Sequence, residues 1–322
     1  MTCYILLFMV GLCGNVHLLS LLRYLFFTQP STSTYDNTVI CLTCLCIVDC
    51  IHLVSLAPSI LDTILGHWVL GSALCKVYHL FHSFPKVAST FLLVALAFDR
   101  YAGACQPHRP VFRSRKMLAC ILVAILALCV VLLAPMMFTV QAIEVKMTES
   151  RFIHTRAYKC VEQMDSQHFL AFTGSVFGFA YLTPLVMLVY LYGTMLCTLY
   201  RSTSVGRSHV PLKRIALYSL TIVCVYFLCW TPYWLALMYS AYLTMTNRHV
   251  AMAAKTFVFV MYFIHALPYV NSAANWVCYG MLNRELQRRC RRMNDYRAIR
   301  LVERIADQAK ETREADADTL LC

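Results

Sequence analysis

"ASTFLLVALAFDRY", residues 88–101, decides how this chain is read. An apolar run that begins at Cys75 passes through it and ends on an acid, Asp99, and a base, Arg100. Full charges at the end of a long hydrophobic segment are costly unless they lie at a membrane boundary and are paired. An Arg that follows an Asp there can act as a held charge, released when something else binds. Asp99-Arg100-Tyr101 therefore points from a merely hydrophobic chain to one that transmits a signal.

Composition agrees with a membrane setting. Of 322 residues, 60% are hydrophobic and 14% charged, against about 25% charged in soluble domains. Mean hydropathy is +0.61. The net charge of +12 invites a nucleic-acid reading, but the basic residues sit between apolar segments and in the tail rather than on one soluble face. Membrane orientation accounts for them, and nucleic acid is set aside as a partner. There are 17 cysteines. Cys41, Cys44, Cys46, Cys50, Cys120, Cys129 and Cys224 lie inside apolar runs and read as small packing residues. Cys41, Cys44 and Cys46 approach metal-ligand spacing, but their run offers no polar groups to orient a ligand. Cys75 and Cys160 differ, because each borders a polar stretch.

A membrane span needs about 20 apolar residues. Seven such runs are present, near 3–25, 38–61, 74–98, 117–139, 169–199, 215–243 and 252–279. Residues 140–168 form the one long polar connection, with β-branched and alternating stretches that suit a hairpin. Arg109, Arg113, Arg115 and Lys116 follow span three; Arg201, Arg207, Lys213 and Arg214 follow span five; Arg284, Arg288, Arg289, Arg291 and Arg292 open the tail. All three clusters fall on one side, the cytoplasm by the positive-inside rule, so the amino terminus is expected outside and the carboxyl terminus inside. Met1 is nearly in span one, and no Asn-x-Ser/Thr acceptor occurs. Either the outer amino-terminal segment is very short or the chain starts late. After Arg292 the sequence turns charged and reads as a solvated helix or disordered tail. Pro58, Pro85, Pro135, Pro184, Pro232 and Pro268 lie in spans, where each removes a backbone donor and bends its helix.

Polar residues in the spans fall at informative places: Asn15 in "GNV", Asp49 in "LCIVD", then "CWTP" (229–232) and "NWVCY" (275–279). With Cys75, Asp99-Arg100-Tyr101 and Pro184, they resemble the rhodopsin-like G-protein-coupled receptors in order and spacing over nearly the whole chain. That resemblance implies an all-α membrane protein, a seven-transmembrane helix bundle and no enzymatic activity. A short amphipathic helix, "MLNRELQRRC" (281–290), would follow span seven, giving a receptor domain over 1–293 and a cytoplasmic tail over 294–322. The family pairs Cys75 with Cys160 in a disulfide. Its G-protein contact is Arg100, with Tyr192 and Tyr279 swinging toward it once span six moves outward. Many relatives hold this Arg with an acid at the start of span six; "PLKRIA" (211–216) has none, which leaves Asp99 as the restraint and implies appreciable basal signalling. Tyr226, Trp230 and Pro232 match the family's toggle, with Tyr226 where Phe is usual. Asp49, an intramembrane carboxylate, matches an allosteric sodium site with Ser89, Asn271 and Asn275; oxygen ligands suit such a hard cation, and Pro85 replaces an Asn that often lines the site. Cys290 is a palmitoylation candidate. Heterotrimeric G protein, arrestin and membrane lipids are the implied partners, and the plasma membrane the implied location. Trp276 stands where the family has Pro, and span four lacks the usual Trp.

The outer pocket bears on the ligand. Amine receptors carry an Asp seven residues after the span-three cysteine; here the residue is His82. Retinal receptors need a lysine in span seven, where Tyr269 stands. One turn deeper than His82 is Lys86, a cation that needs a partner. It either pairs internally with Asp49 or Asp62 or snorkels, or it meets an acid or carbonyl of a ligand. By family position His79, His82, Tyr233, Trp234, His265 and Tyr269 surround it, a cavity that suits an extracellular peptide. "LPYVNSAAN" (267–275) resembles the somatostatin, allatostatin-C, opioid and galanin receptors, which implies a neuropeptide ligand and an inhibitory-class G protein. The alternatives are a small acid or lipid ligand, or a membrane transporter. A transporter would show inverted repeats or paired broken helices, which the sequence lacks.

Overall fold

A segment in the bilayer core must satisfy its own backbone hydrogen bonds, so the apolar runs have to form helices. In the computed structural model they do. It describes residues 2–28, 33–106, 108–150, 153–204, 210–246, 255–282 and 295. Met1–Tyr279 forms one compact unit and Gly280–Cys322 a second. The helices are α1 (Thr2–Thr28), α2 (Ser33–Val54), α3 (Leu56–Leu65), α4 (Gly71–Cys105), α5 (Arg115–Thr139), α6 (Ser166–Phe177), α7 (Thr183–Ser204), α8 (Val210–Met245) and α9 (Lys255–Leu282). Among the described residues seven spans result: α1, α2 with α3, α4, α5, α6 with α7, α8, and α9. Each overlaps the run read from the sequence. Span three continues past Asp99 to Cys105. The amphipathic helix and Cys290 lie outside the described residues.

Two spans are interrupted, each near a proline. Pro58 cannot donate and would crowd the carbonyl four residues back. The helix resets at Ser55, whose Oγ donates to the His52 carbonyl at 2.6 Å. In span five a π-helical turn, Gly178–Leu182, stands just before Pro184. Its widened ring brings the Thr183 hydroxyl onto the Gly178 carbonyl at 3.0 Å.

Helix α4 is the bundle's axis. It packs against α2, α5, α7 and the hairpin, and it is buried almost continuously from Val87 to Ala97. The polar connection is a hairpin: β1 (Val140–Ser150) and β2 (Ile153–Glu162) pair antiparallel with Ala142 opposite Cys160. Cys75 and Cys160 form a disulfide. The Trp68 amide donates to the Tyr158 carbonyl at 2.7 Å, and Lys159 pairs with Asp62 at 3.9 Å. Trp68, Cys75, Met136 and Val140 close a buried cluster beneath. The hairpin base is thus fixed to the ends of α3, α4 and α5. Closing a loop of 85 residues restricts the unfolded chain by about 4–5 kcal/mol in the loop-entropy account.

Without a hydrophobic driving force between helices in lipid, close packing depends on small residues. A methyl group at Gly11 would stand 2.9 Å from Ala273, and one at Gly14 would overlap the Trp276 indole. Asn15 Nδ2 donates to the Gly11 and Ser272 carbonyls, both at 2.9 Å. The bulky Trp276 is therefore matched by a missing side chain on α1. Gly14→Val should lower the thermal midpoint of the purified chain, by overpacking worth about 1–3 kcal/mol. Adding Trp276→Pro should recover most of the loss; additive losses in the double variant would show that the two positions do not share this space.

Candidate functional site

His79, His82 and Lys86 sit at helical spacing of three and four on α4, so they share one face. That face turns toward α8 and α9 below the hairpin. His82 Nδ1 is 2.9 Å from the Tyr269 hydroxyl. The Lys86 ammonium lies 5.1 Å above the Tyr233 ring, a cation–π contact. Tyr233 meets His265 edge-on at 5.3 Å and Trp234 at 5.8 Å. Of the seven residues expected around the pocket, these contacts join His82 to Tyr269 and link Lys86, Tyr233, Trp234 and His265; His79 stands three residues before His82 on α4. Neither acid considered as an internal partner reaches Lys86. Asp62 is taken by Lys159, and Asp49 accepts from Asn275 Nδ2 at 2.7 Å. Among the described residues no carboxylate forms an ion pair with Lys86.

One acid does feel its charge. Glu162, at the end of β2, is within electrostatic reach of Lys86, and its Oε1 is buried with no hydrogen-bond partner among the described residues. Burial raises its carboxyl pKa above the usual range, while the nearby ammonium, the smaller effect, lowers it. Sequence reasoning passed over Glu162; its place two residues beyond Cys160 was the available signal.

Below the pocket lies the toggle. Trp230 and Tyr226 stack at 5.6 Å. The Thr90 hydroxyl donates to the Lys86 carbonyl at 3.0 Å, so at 2.6 Å it is the Tyr226 hydroxyl that donates to Thr90. This gives the Tyr-for-Phe departure a partner. Tyr181 is tied to Thr231 at 2.5 Å by the same logic, since Thr231 donates to the Phe227 carbonyl. Trp230 is also stacked by a residue the sequence reading missed, His52.

Deeper still, Asp49 is 1% exposed. Ser89, Asn271 and Asn275 are buried as well. Asp49 Oδ1 and Asn271 Oδ1 have no hydrogen-bond partner among the described residues.

At the far end of α4 the Asp99 carboxylate accepts from the Thr38 hydroxyl at 3.1 Å. The sequence reading left Asp99 as the restraint on Arg100; the structure adds that Asp99 is itself held by α2. Tyr192 is buried in a cluster with Val94, Ala97 and Leu188, against which Tyr101 packs. Tyr279 lies on α9, but its side chain is outside the described residues. Of the cysteines near metal spacing, none forms a candidate metal group among the described residues. The one such group is Cys75, His79 and Cys160, and its two sulfurs are already bonded.

Seven spans, a disulfide from span three to a hairpin, and this column of motifs define a seven-transmembrane receptor. Residues 2–279 match the family described as 7 transmembrane receptor (rhodopsin family), and the chain belongs to that family. It is 38% identical over 294 residues to a probable G-protein coupled receptor of Caenorhabditis elegans, covering 89% of this chain and 67% of that one. It is 34% identical to neuropeptide receptor 18 of Caenorhabditis elegans, over 88% of this chain and 64% of that one. Rat neuropeptide FF receptor 2 is 27% identical over 70% of this chain and 56% of its own length. The chain thus spans about two thirds of the length of its nematode relatives.

A carboxyl whose pKa is raised by folding favours the fold below the ordinary glutamate range and opposes it once pH passes the folded value. Glu162→Gln should therefore raise the thermal midpoint near neutral pH. The gap should close as pH falls to about 4, where both states are protonated. A gap that does not change with pH would mean the carboxyl carries no burial penalty.

Proposed function

We propose that this chain is a receptor for a neuropeptide. It binds the peptide at the hairpin end and promotes nucleotide exchange on a heterotrimeric G protein of the inhibitory class at the Arg100 end. The supporting observation is Lys86. Its ammonium sits among aromatic rings and histidines with no paired carboxylate among the described residues, so a ligand acid or carbonyl completes it. A hydrogen bond to a charged group is worth about 1.5–3 kcal/mol net, and the dry ring walls keep water from competing. The neuropeptide names of the relatives favour a peptide over a small acid or lipid, which Lys86 would also accommodate. The somatostatin, allatostatin-C, opioid and galanin branch rests on "LPYVNSAAN" and on a short third inner loop. The basic clusters support an orientation with the Arg100 end in the cytoplasm and the hairpin outside, and membership of the receptor family supports the plasma membrane.

In this reading the Asp49 site takes a sodium ion. The two orphaned buried oxygens, Asp49 Oδ1 and Asn271 Oδ1, fit a hard cation that prefers oxygen ligands, with Ser89 and Asn275 beside them. The ion would supply a positive charge against a buried carboxylate. The chain's own part is to hold Asp49 through Asn275 and to keep Trp230 and Tyr226 stacked above it.

A neuropeptide library screened on cells reporting inhibitory and calcium-coupled G proteins tests the ligand class. Activation by fatty acids or small acids instead of any peptide would replace it. Lys86→Met should then abolish the response at unchanged surface expression, since truncating one side of a buried charge pair costs about 2–5 kcal/mol. An unchanged dose response removes Lys86 from the ligand site. Replacing sodium by choline at constant ionic strength should raise agonist affinity in the wild type and leave Asp49→Asn unaffected; equal wild-type affinity in both salts would remove the ion from the reading.

A further inference from the structure

His52 belongs to none of the sites described so far, yet it touches three of them. It follows Asp49 by one turn of α2 and is 0% exposed. Its Nδ1 lies 2.9 Å from Ser272 Oγ, and Ser272 stands three residues before Asn275 on α9, which donates to Asp49. Its ring stacks on Tyr269 at 4.3 Å and 21° and on Trp230 at 5.9 Å and 23°. Tyr269 in turn holds His82. The imidazole therefore joins the pocket floor, the toggle ring and the carboxylate site through one rigid plane.

A packing role alone does not call for a histidine here. Burying a polar ring costs free energy that a phenyl ring of similar size would not, and Nε2 is buried with no hydrogen-bond partner among the described residues. What the imidazole adds over a phenyl ring is the bond from Nδ1 to Ser272. A neutral imidazole makes this bond in either tautomer, with Nδ1–H donating to Ser272 Oγ or Nδ1 accepting from it.

We propose that His52 is the positioning residue that couples the ligand pocket to the Asp49 site and sets the resting position of Trp230. This rests on reading the chain as a receptor whose span six moves. A ligand that shifts Tyr269 or His82 shifts the stacked imidazole, and the same displacement stretches the bond to Ser272 and releases the Trp230 face. In this proposal the bond belongs to the resting arrangement, so its loss favours the other one.

The test is a double-mutant cycle on the full chain in nanodiscs, without any ligand. His52→Phe keeps the stack and deletes the bond, and Ser272→Ala deletes its other end. Each should raise the basal rate of nucleotide exchange on a purified inhibitory-class G protein, per folded receptor, by about 2- to 12-fold. That is the change made in a two-state equilibrium by one net hydrogen bond. The double variant should rise no further than the larger single, because both remove the same bond. A second readout needs no G protein. Alkylation of Cys229, a half-buried free thiol next to Trp230 in the chain, by N-ethylmaleimide should quicken in the same variants, as mapped by mass spectrometry. Ser272→Ala, which leaves the stacked ring in place, serves alone if His52→Phe does not fold. Wild-type rates in the variants, or increases that multiply in the double, overturn the proposal. A wild-type chain that acts on no G protein refutes the receptor reading instead, and alkylation still decides for or against His52.

Discussion

The bilayer core offers a spanning chain no bulk water, so buried polar side chains are drawn to partners on neighbouring helices. This constraint arranges the whole bundle. Asn15, Asp49, His52, Thr90 and Ser272 are all buried, and their bonds cross from helix to helix. Asn15 ties α1 to α9, Asn275 ties α9 to α2, His52 repeats that link one turn higher, and Tyr226 ties α8 to α4. In water such bonds would be worth little. In a low-dielectric interior, leaving one of them unmade costs the full desolvation of the group. The polar column therefore specifies which helix faces meet, while the apolar surface only specifies that they stay in the membrane.

The hairpin end obeys a different logic. It is held by a covalent bond, a backbone hydrogen bond and an ion pair, all at the base of β1 and β2. Below them Lys86 lies against the face of Tyr233 and forms no ion pair with a carboxylate among the described residues. A cation tolerated there is a cost to the fold, and the proposed function gives the cost a purpose.

Departures from the family pattern turn out to be compensated locally. Trp276 is accommodated by Gly14, and Tyr226 finds Thr90. Each pair lies on two different helices, far apart in the chain. A reading of one position at a time finds the departure and misses its partner.

Span number, approximate boundaries and the hairpin were legible in the sequence because they follow from local hydropathy and from the absence of water around a spanning backbone. The motif residues were legible because their types and spacing are unusual inside apolar runs. The partners were not. Thr38 for Asp99, Glu162 near Lys86, and His52 between Tyr269 and Trp230 are ordinary residues until the helices are packed. The expected choice of Asp49 or Asp62 as a partner for Lys86 failed for the same reason: only the fold gives Asp49 to Asn275 and Asp62 to Lys159. Sequence alone determined that the chain crosses a membrane seven times and carries a receptor's motifs. Tertiary structure decided which polar groups complete one another, because pairing across helices depends on rotation and depth, and neither is written in the order of residues.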